Sequence, residues 1–150
     1  MLQAAKPLNI KDNYIYMMLQ ALDILFFVIH CFVIGFNLTG WIWTRTRRWH
    51  LVFVGLTVFS WLAMGIWYGL GYCALTDWHW QVKRALGEAD LPNSFLTYLF
   101  NDVMGLGLET GFINWGAGII LTVVIFWSVA LNFRDYWQYR LSHNLPESNE

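Results

Sequence analysis

Between residues 19 and 43 the chain runs nearly without charge for the length of a bilayer, yet carries Asp23, His30 and Asn37 at seven-residue spacing. Seven residues is close to two helical turns, so on a helix the three side chains share one face. An acid and an imidazole set among Ile24, Leu25, Phe26, Phe27, Val28 and Ile29 cost several kcal/mol in hydrocarbon unless they are paired or wetted. That stripe must face protein or water, and the rest of the helix lipid.

The wider composition places the chain in a membrane. Of 150 residues, 57% are hydrophobic and 13% charged, with 10 Trp, 7 Tyr and 11 Phe, too little charge for the surface of a soluble domain of this size. The net charge of -1 and the absence of a broad basic face argue against nucleic-acid binding. Cys31 and Cys73 lie in separate apolar segments without CxxC or Cys/His spacing, so neither a disulfide framework nor a zinc site follows from them. The polar start of the chain and the TRTRR that closes the first apolar run do not have the form of a cleavable signal, so the first helix is expected to be retained.

Three segments reach spanning length, about 19–43, 51–72 and 112–133, each near the ~20 residues that cross the hydrocarbon. All are expected to be helices, because lipid does not tolerate unpaired backbone. The expected fold is an all-α integral membrane domain over 1–150, with three transmembrane helices. An interfacial or short re-entrant segment, about 77–108, lies between the second and third, and the polar tail, about 141–150, is expected to fray. Arg45, Arg47 and Arg48 after the first span, and Arg134 and Arg140 after the third, set against Lys6, Lys11, Lys83 and Arg84, put the N-terminus outside and the C-terminus in the cytoplasm. Trp41, Trp43, Trp49 and Trp137 mark one interface; Tyr14, Tyr16, Tyr72, Trp78, Trp80 and Trp115 mark the other.

If the first two spans form a hairpin at TRTRR, residues at equal depth have numbers of constant sum. Asn37 then lies level with Thr57, His30 with Met64 and Asp23 with Gly71, while the third span brings Asn114 to the depth of Asp23 and Ser128 to that of Asn37. Asp23, His30, Asn37, Thr57, Asn114 and Ser128 are the expected polar seam, lined by small residues such as Gly55, Gly65, Gly116 and Gly118 that allow close approach. The plainest role for such groups is interhelical hydrogen bonding. His30, with Met64 opposite, is also chemically able to ligate haem, and an imidazole at that depth suits a pigment, a quinone or a proton relay with Asp23. His50 lies about 21 Å from His30 in depth and is expected to hydrogen-bond at the hairpin or meet headgroups beside Arg45, Arg47 and Arg48. At the other end, Thr76 or Asp77 can cap a new amphipathic helix, and Cys73, Thr76, Asp77 and His79 lie on the same side as Asp23, where they can complete a polar pocket.

In this order of features the chain resembles a family of small bacterial inner-membrane proteins catalogued only as a domain of unknown function. The resemblance spans about 22–136 and rests on Asp23 and His30, Phe32 and Gly35, Arg48 and His50, a Cys-Pro-Leu-Thr corner (here Cys73, Ala74, Leu75, Thr76), Gly87 and Glu88, and Phe95, Leu96, Tyr98 and Leu99. Ala74 stands where the family has Pro, and His79 where its members commonly place Glu. The resemblance implies a membrane protein of three or four helices and names Asp23, His30, His50, Cys73 and Thr76 as positions to test, without supplying an activity.

Three function classes follow. The first is a non-enzymatic subunit or accessory of a larger membrane complex, sheltered by other membrane subunits or by self-association. The second is a haem-, quinone- or pigment-binding redox subunit using His30. The third is a small proton-coupled transporter or membrane enzyme using Asp23 and His30. No Walker loop, GxGxxG, GxSxG or HExxH is present, so nucleotide, serine-hydrolase and zincin chemistry has no support.

Overall fold

A computed structural model describes residues 10–69 and 72–144, with side chains to residue 142. Gly71, Lys6 and the tail beyond residue 144 lie outside the described residues. The elements in chain order are α1 (Ile10–Thr39), α2 (Arg47–Tyr68), α3 (Ala74–Ala85), α4 (Phe95–Thr97), which runs into a π-helical turn (Tyr98–Val103), and α5 (Thr110–Asn144). There is no strand among the described residues. Three helices are long and apolar enough to cross a membrane, Ile10–Thr39, Arg47–Tyr68 and Thr110–Ser142. The expected all-α architecture with three spans and shorter helices between the second and third is what the chain adopts.

The boundaries differ from those expected. α1 begins at Ile10 rather than near residue 19, because IKDNYIYMM contains no Gly or Pro and an acid, Asp12, sits in the first turn, where the helix dipole favours it. It stops at Thr39, since the Gly40 to Thr46 link turns back so tightly. α5 continues through 141–144, which were expected to fray, as one unbroken 35-residue helix, about 52 Å long at 1.5 Å per residue.

The hairpin is built on a close approach at Gly40. A Cβ there would lie 2.8 Å from the Phe36 carbonyl oxygen and 2.9 Å from a His50 ring carbon, so only glycine fits. The last four carbonyls of an α-helix have no partner in the helix itself, and here the link supplies them. The Gly40 amide donates to Phe36 (2.7 Å) and the Ile42 amide to Thr39 (3.0 Å). The Trp41 indole donates to Leu38 (2.7 Å) and His50 Nε2 to Asn37 (2.8 Å).

α3 folds back against α1, whereas α5 runs along α2 and touches α1 less. The buried hydrophobic core is small: Tyr72, Trp80 and Phe95 form its centre, with Phe27, Ile34, Met64, Leu91, Tyr98 and Leu99 packed on it. That core lies where α3 and α4 pack on α1 and α2. Within the most apolar stretch of each span, only 6%, 6% and 11% of residues are buried.

Candidate functional site

The heptad stripe on α1 does not make one continuous seam. A straight α-helix drifts by ~20° per heptad, so over two heptads the stripe turns from α3 toward α2. Asp23 and His30 meet α3, and Asn37 meets α2 and its neighbours. Two polar clusters result, one at each end of the bundle.

The cluster at the hairpin end starts from Asn37, whose Nδ2 donates to Thr57 Oγ1 at 2.9 Å, while the Thr57 hydroxyl donates to the Phe53 carbonyl. His50 is fully buried, so it makes no contact with headgroups. Its Nε2 faces the Asn37 carbonyl, which can only accept, so Nε2 carries the proton and Nδ1 accepts from Ser128 Oγ at 2.9 Å. His50 thus joins Asn37 to Ser128, and Asn37 itself bonds Thr57. Arg47 donates from Nε to the Trp41 carbonyl (3.0 Å) and from Nη1 to Asp135 Oδ2 (2.7 Å), and Asn132 Nδ2 donates to the carbonyls of Arg47 and Ser128. Arg45 and Arg48 take no part in this network. Asn37 Oδ1 is buried without a partner.

The cluster at the α3 end is denser. α3 carries Thr76, His79, Trp80 and Lys83 on one face, at i, i+3, i+4 and i+7, and all four are buried. Its N-cap is Cys73, not Thr76 or Asp77: the Cys73 sulfur accepts from the Thr76 amide at 3.4 Å. Ala74 is then the first helical residue, the position where proline fits best because its missing N–H has no intrahelical partner. In this chain that N–H is present and donates to Ser60 Oγ on α2 at 3.0 Å. Asp77 turns away from the cluster, accepting from the Tyr72 hydroxyl (2.7 Å) and Gln81 Nε2 (2.8 Å). Burial pushes the Tyr72 hydroxyl up to about 12, and Asp77 adds to the shift.

His30 Nδ1 donates to its own helix at the Phe26 carbonyl (2.9 Å), which leaves Nε2 to accept from Thr76 Oγ1 (3.3 Å). The Thr76 oxygen in turn lies 3.2 Å from Cys73 Sγ. The chain of donors Cys73, Thr76, His30 therefore closes on a backbone carbonyl, with the His30 ring stacked on Phe95 at 4.0 Å. Both ring nitrogens are occupied by protein. Met64, expected opposite as a second haem ligand, packs on the Tyr72, Trp80 and Phe95 core. Among the described residues there is no group of three or more His, Cys, Asp and Glu arranged to hold a metal ion.

Asp23 does not pair with His30. Its Oδ1 accepts from His79 Nε2 at 2.7 Å and from Lys83 Nζ at 3.3 Å. Lys83 also reaches Glu88 Oε1 and Oε2 at 2.9 and 3.2 Å and lies 4.8 Å from the centre of the Tyr98 ring. Burial pulls Lys83 down, but Tyr98, Glu88 and Asp23 outweigh it and raise it above its ordinary value. His79, wholly inaccessible on its side chain, is lowered by burial against the opposing pull of Asp23. Its Nδ1 is buried without a partner. Asn114, placed by depth beside Asp23, instead accepts from Ser94 Oγ at 2.8 Å and ties α5 to the start of α4.

Sequence reasoning missed Lys83, Glu88, Ser94, Asn132 and Asp135. Lys83 had a readable signal, since it lies one turn beyond His79 on α3. Glu88 and Ser94 depend on how the connecting segments fold back, and Asn132 and Asp135 on how α5 packs beside α2.

Three apolar helices with polar groups drawn inward to two clusters define a polytopic all-α membrane protein. More particularly, the family model described as a protein of unknown function (DUF2784) matches residues 20–132, and the chain belongs to that family. No curated protein and no solved structure matches it. Among the residues that carry the family resemblance, Asp23, His30, Cys73, Thr76, Glu88, Phe95 and Tyr98 all meet in the cluster at the α3 end.

Proposed function

We propose that this protein is a non-enzymatic subunit or accessory of a larger membrane assembly, in the bacterial inner membrane, with its N-terminus outside and its C-terminus in the cytoplasm. One observation carries the reading: only 6%, 6% and 11% of the residues in the most apolar stretches of the spans are buried within the chain, so much of their surface is available to lipid or to other helices. Phe59, Ile66, Trp67, Phe112 and Phe126 are each 70% exposed or more. The polar residues support it too, since they hydrogen-bond one another within the chain, as interhelical glue does.

Small apolar grooves suit this role. A cavity of about 450 Å³ between α2 and α5, lined by Val58, Trp61, Leu62, Trp115, Gly118 and Ile119, opens on the outer surface of the bundle.

The test is cross-linking in native membranes, followed by extraction in mild detergent and identification of co-purifying chains. A stoichiometric membrane partner, or a defined homo-oligomer, is expected. Recovery of the chain as a lipid-surrounded monomer, with no cross-linked species, overturns the reading. Single-cysteine accessibility at residue 140 and at residue 84 checks the orientation, with residue 140 expected on the cytoplasmic side.

A further inference from the structure

α3 is flanked by two glycines of positive φ. Gly69 before it and Gly87 after it hold φ values of 94° and 97°, and a Cβ at either would meet nothing within 4 Å. Both glycines serve the backbone rather than packing. Between them, α3 grips α1 through three polar contacts: Thr76 to His30, His79 to Asp23 and Lys83 to Asp23. We propose that His79 is the release of this latch, its neutral ring fastening α3 to α1 and its protonated ring freeing it.

Nε2–H of His79 donates to Asp23, so in the neutral ring Nδ1 is a bare lone pair, a small cost in a buried place. Protonation turns that nitrogen into a charged N–H with no acceptor, walled by the rings of Phe26, Trp80 and Phe95. An unmet donor on a charged group costs more than an unmet acceptor on a neutral one. The charged and titratable groups that face His79 come from each packed element. α1 supplies Asp23 and His30, α3 supplies Lys83, the segment after α3 supplies Glu88, and the π-helical turn supplies Tyr98. Asp23 and Glu88 favour the proton, but Asp23 Oδ1 is already shared with Lys83 and Glu88 holds Lys83 through both oxygens.

The sign follows from where the proton binds better. His79 in the docked state lies below its ordinary value of 6.5, so the undocked state binds more protons. Docking is then strongest above 6.5 and weakens as pH falls, by up to about tenfold per pH unit for one proton. Losing the latch uncovers Asp23 and His30 on α1 to whatever surrounds the bundle.

Hydrogen–deuterium exchange of the full chain in nanodiscs, at pH 7.5 and pH 5 and corrected for intrinsic exchange, reads this directly. α3 amides are expected to lose protection at the lower pH, by up to about thirtyfold for one proton between these pH values, while α1 and α2 hold theirs. His79→Gln, which keeps a neutral donor for Asp23, is expected to abolish the difference. Equal α3 protection at both pH values, or an undiminished pH response in His79→Gln, overturns the proposal. If His79→Gln does not fold, His30→Gln decides: a retained pH response supports His79 as the release, and a lost one assigns it to His30 and overturns the proposal.

Discussion

Replacing His50 with alanine should be among the most damaging single changes in the membrane-spanning part of the molecule. His50 is fully buried and joins three helices: it sits on α2, donates to the Asn37 carbonyl of α1 at 2.8 Å and accepts from Ser128 of α5 at 2.9 Å. The two contacts are not of equal worth. Without His50 the Ser128 hydroxyl can turn back onto a carbonyl of its own helix, as serines in helices do, so its orphaning costs little. The Asn37 carbonyl is in the last turn of α1 and has no such retreat. A buried unmet carbonyl costs about 1–3 kcal/mol, and the cavity left by the ring adds to it, for a total of about 2–4 kcal/mol in His50→Ala. Ser128→Ala removes only an interhelical hydrogen bond, worth about 0.6 kcal/mol on average within a bilayer. Reversible unfolding in mixed micelles, or steric trapping in bicelles, measures both. The reasoning is refuted if His50→Ala lies within about 0.5 kcal/mol of wild type, the range of an inconsequential substitution, or if Ser128→Ala costs as much as His50→Ala.

Other changes test other joints. Gly40→Ala should destabilise by more than about 1 kcal/mol in the same unfolding assay, because its Cβ meets the Phe36 backbone oxygen at 2.8 Å; a neutral result means the hairpin relaxes freely. Cys73→Ser should keep the α3 cap, whereas Cys73→Ala should cost about 1 kcal/mol, read as protection of α3 amides against exchange. Ala74→Pro should be tolerated within about 1 kcal/mol, since the first helical turn suits proline and only the Ser60 contact is lost. Thr57→Val should cost about 1–2 kcal/mol in the unfolding assay, because it removes the partner of the buried Asn37 amide and leaves it facing a methyl group.

The three spans and the all-helical class were legible because hydrophobic length alone sets them. Depth arithmetic also placed Asn37 beside Thr57, since an antiparallel hairpin with a short link leaves little freedom in register. It failed for Asn114, which bonds Ser94 rather than anything beside Asp23. Periodicity fixes which residues share a face and leaves open where that face points. The same limit explains Asp23 and His30, which share a stripe yet take different partners on α3, His79 and Thr76. Nothing local to α1 states that a later helix returns to cover it.

The capped end of α1 bears on how such a chain enters a membrane. Phe36, Leu38 and Thr39 are satisfied within a few residues, by Gly40, Trp41 and Ile42, so those caps exist as soon as the first helix emerges from the ribosome. The Asn37 carbonyl waits for His50, 13 residues later. The first helix thus arrives with one polar loose end that only the opening turn of the second can tie, and this favours delivery of the two as a pair rather than one at a time.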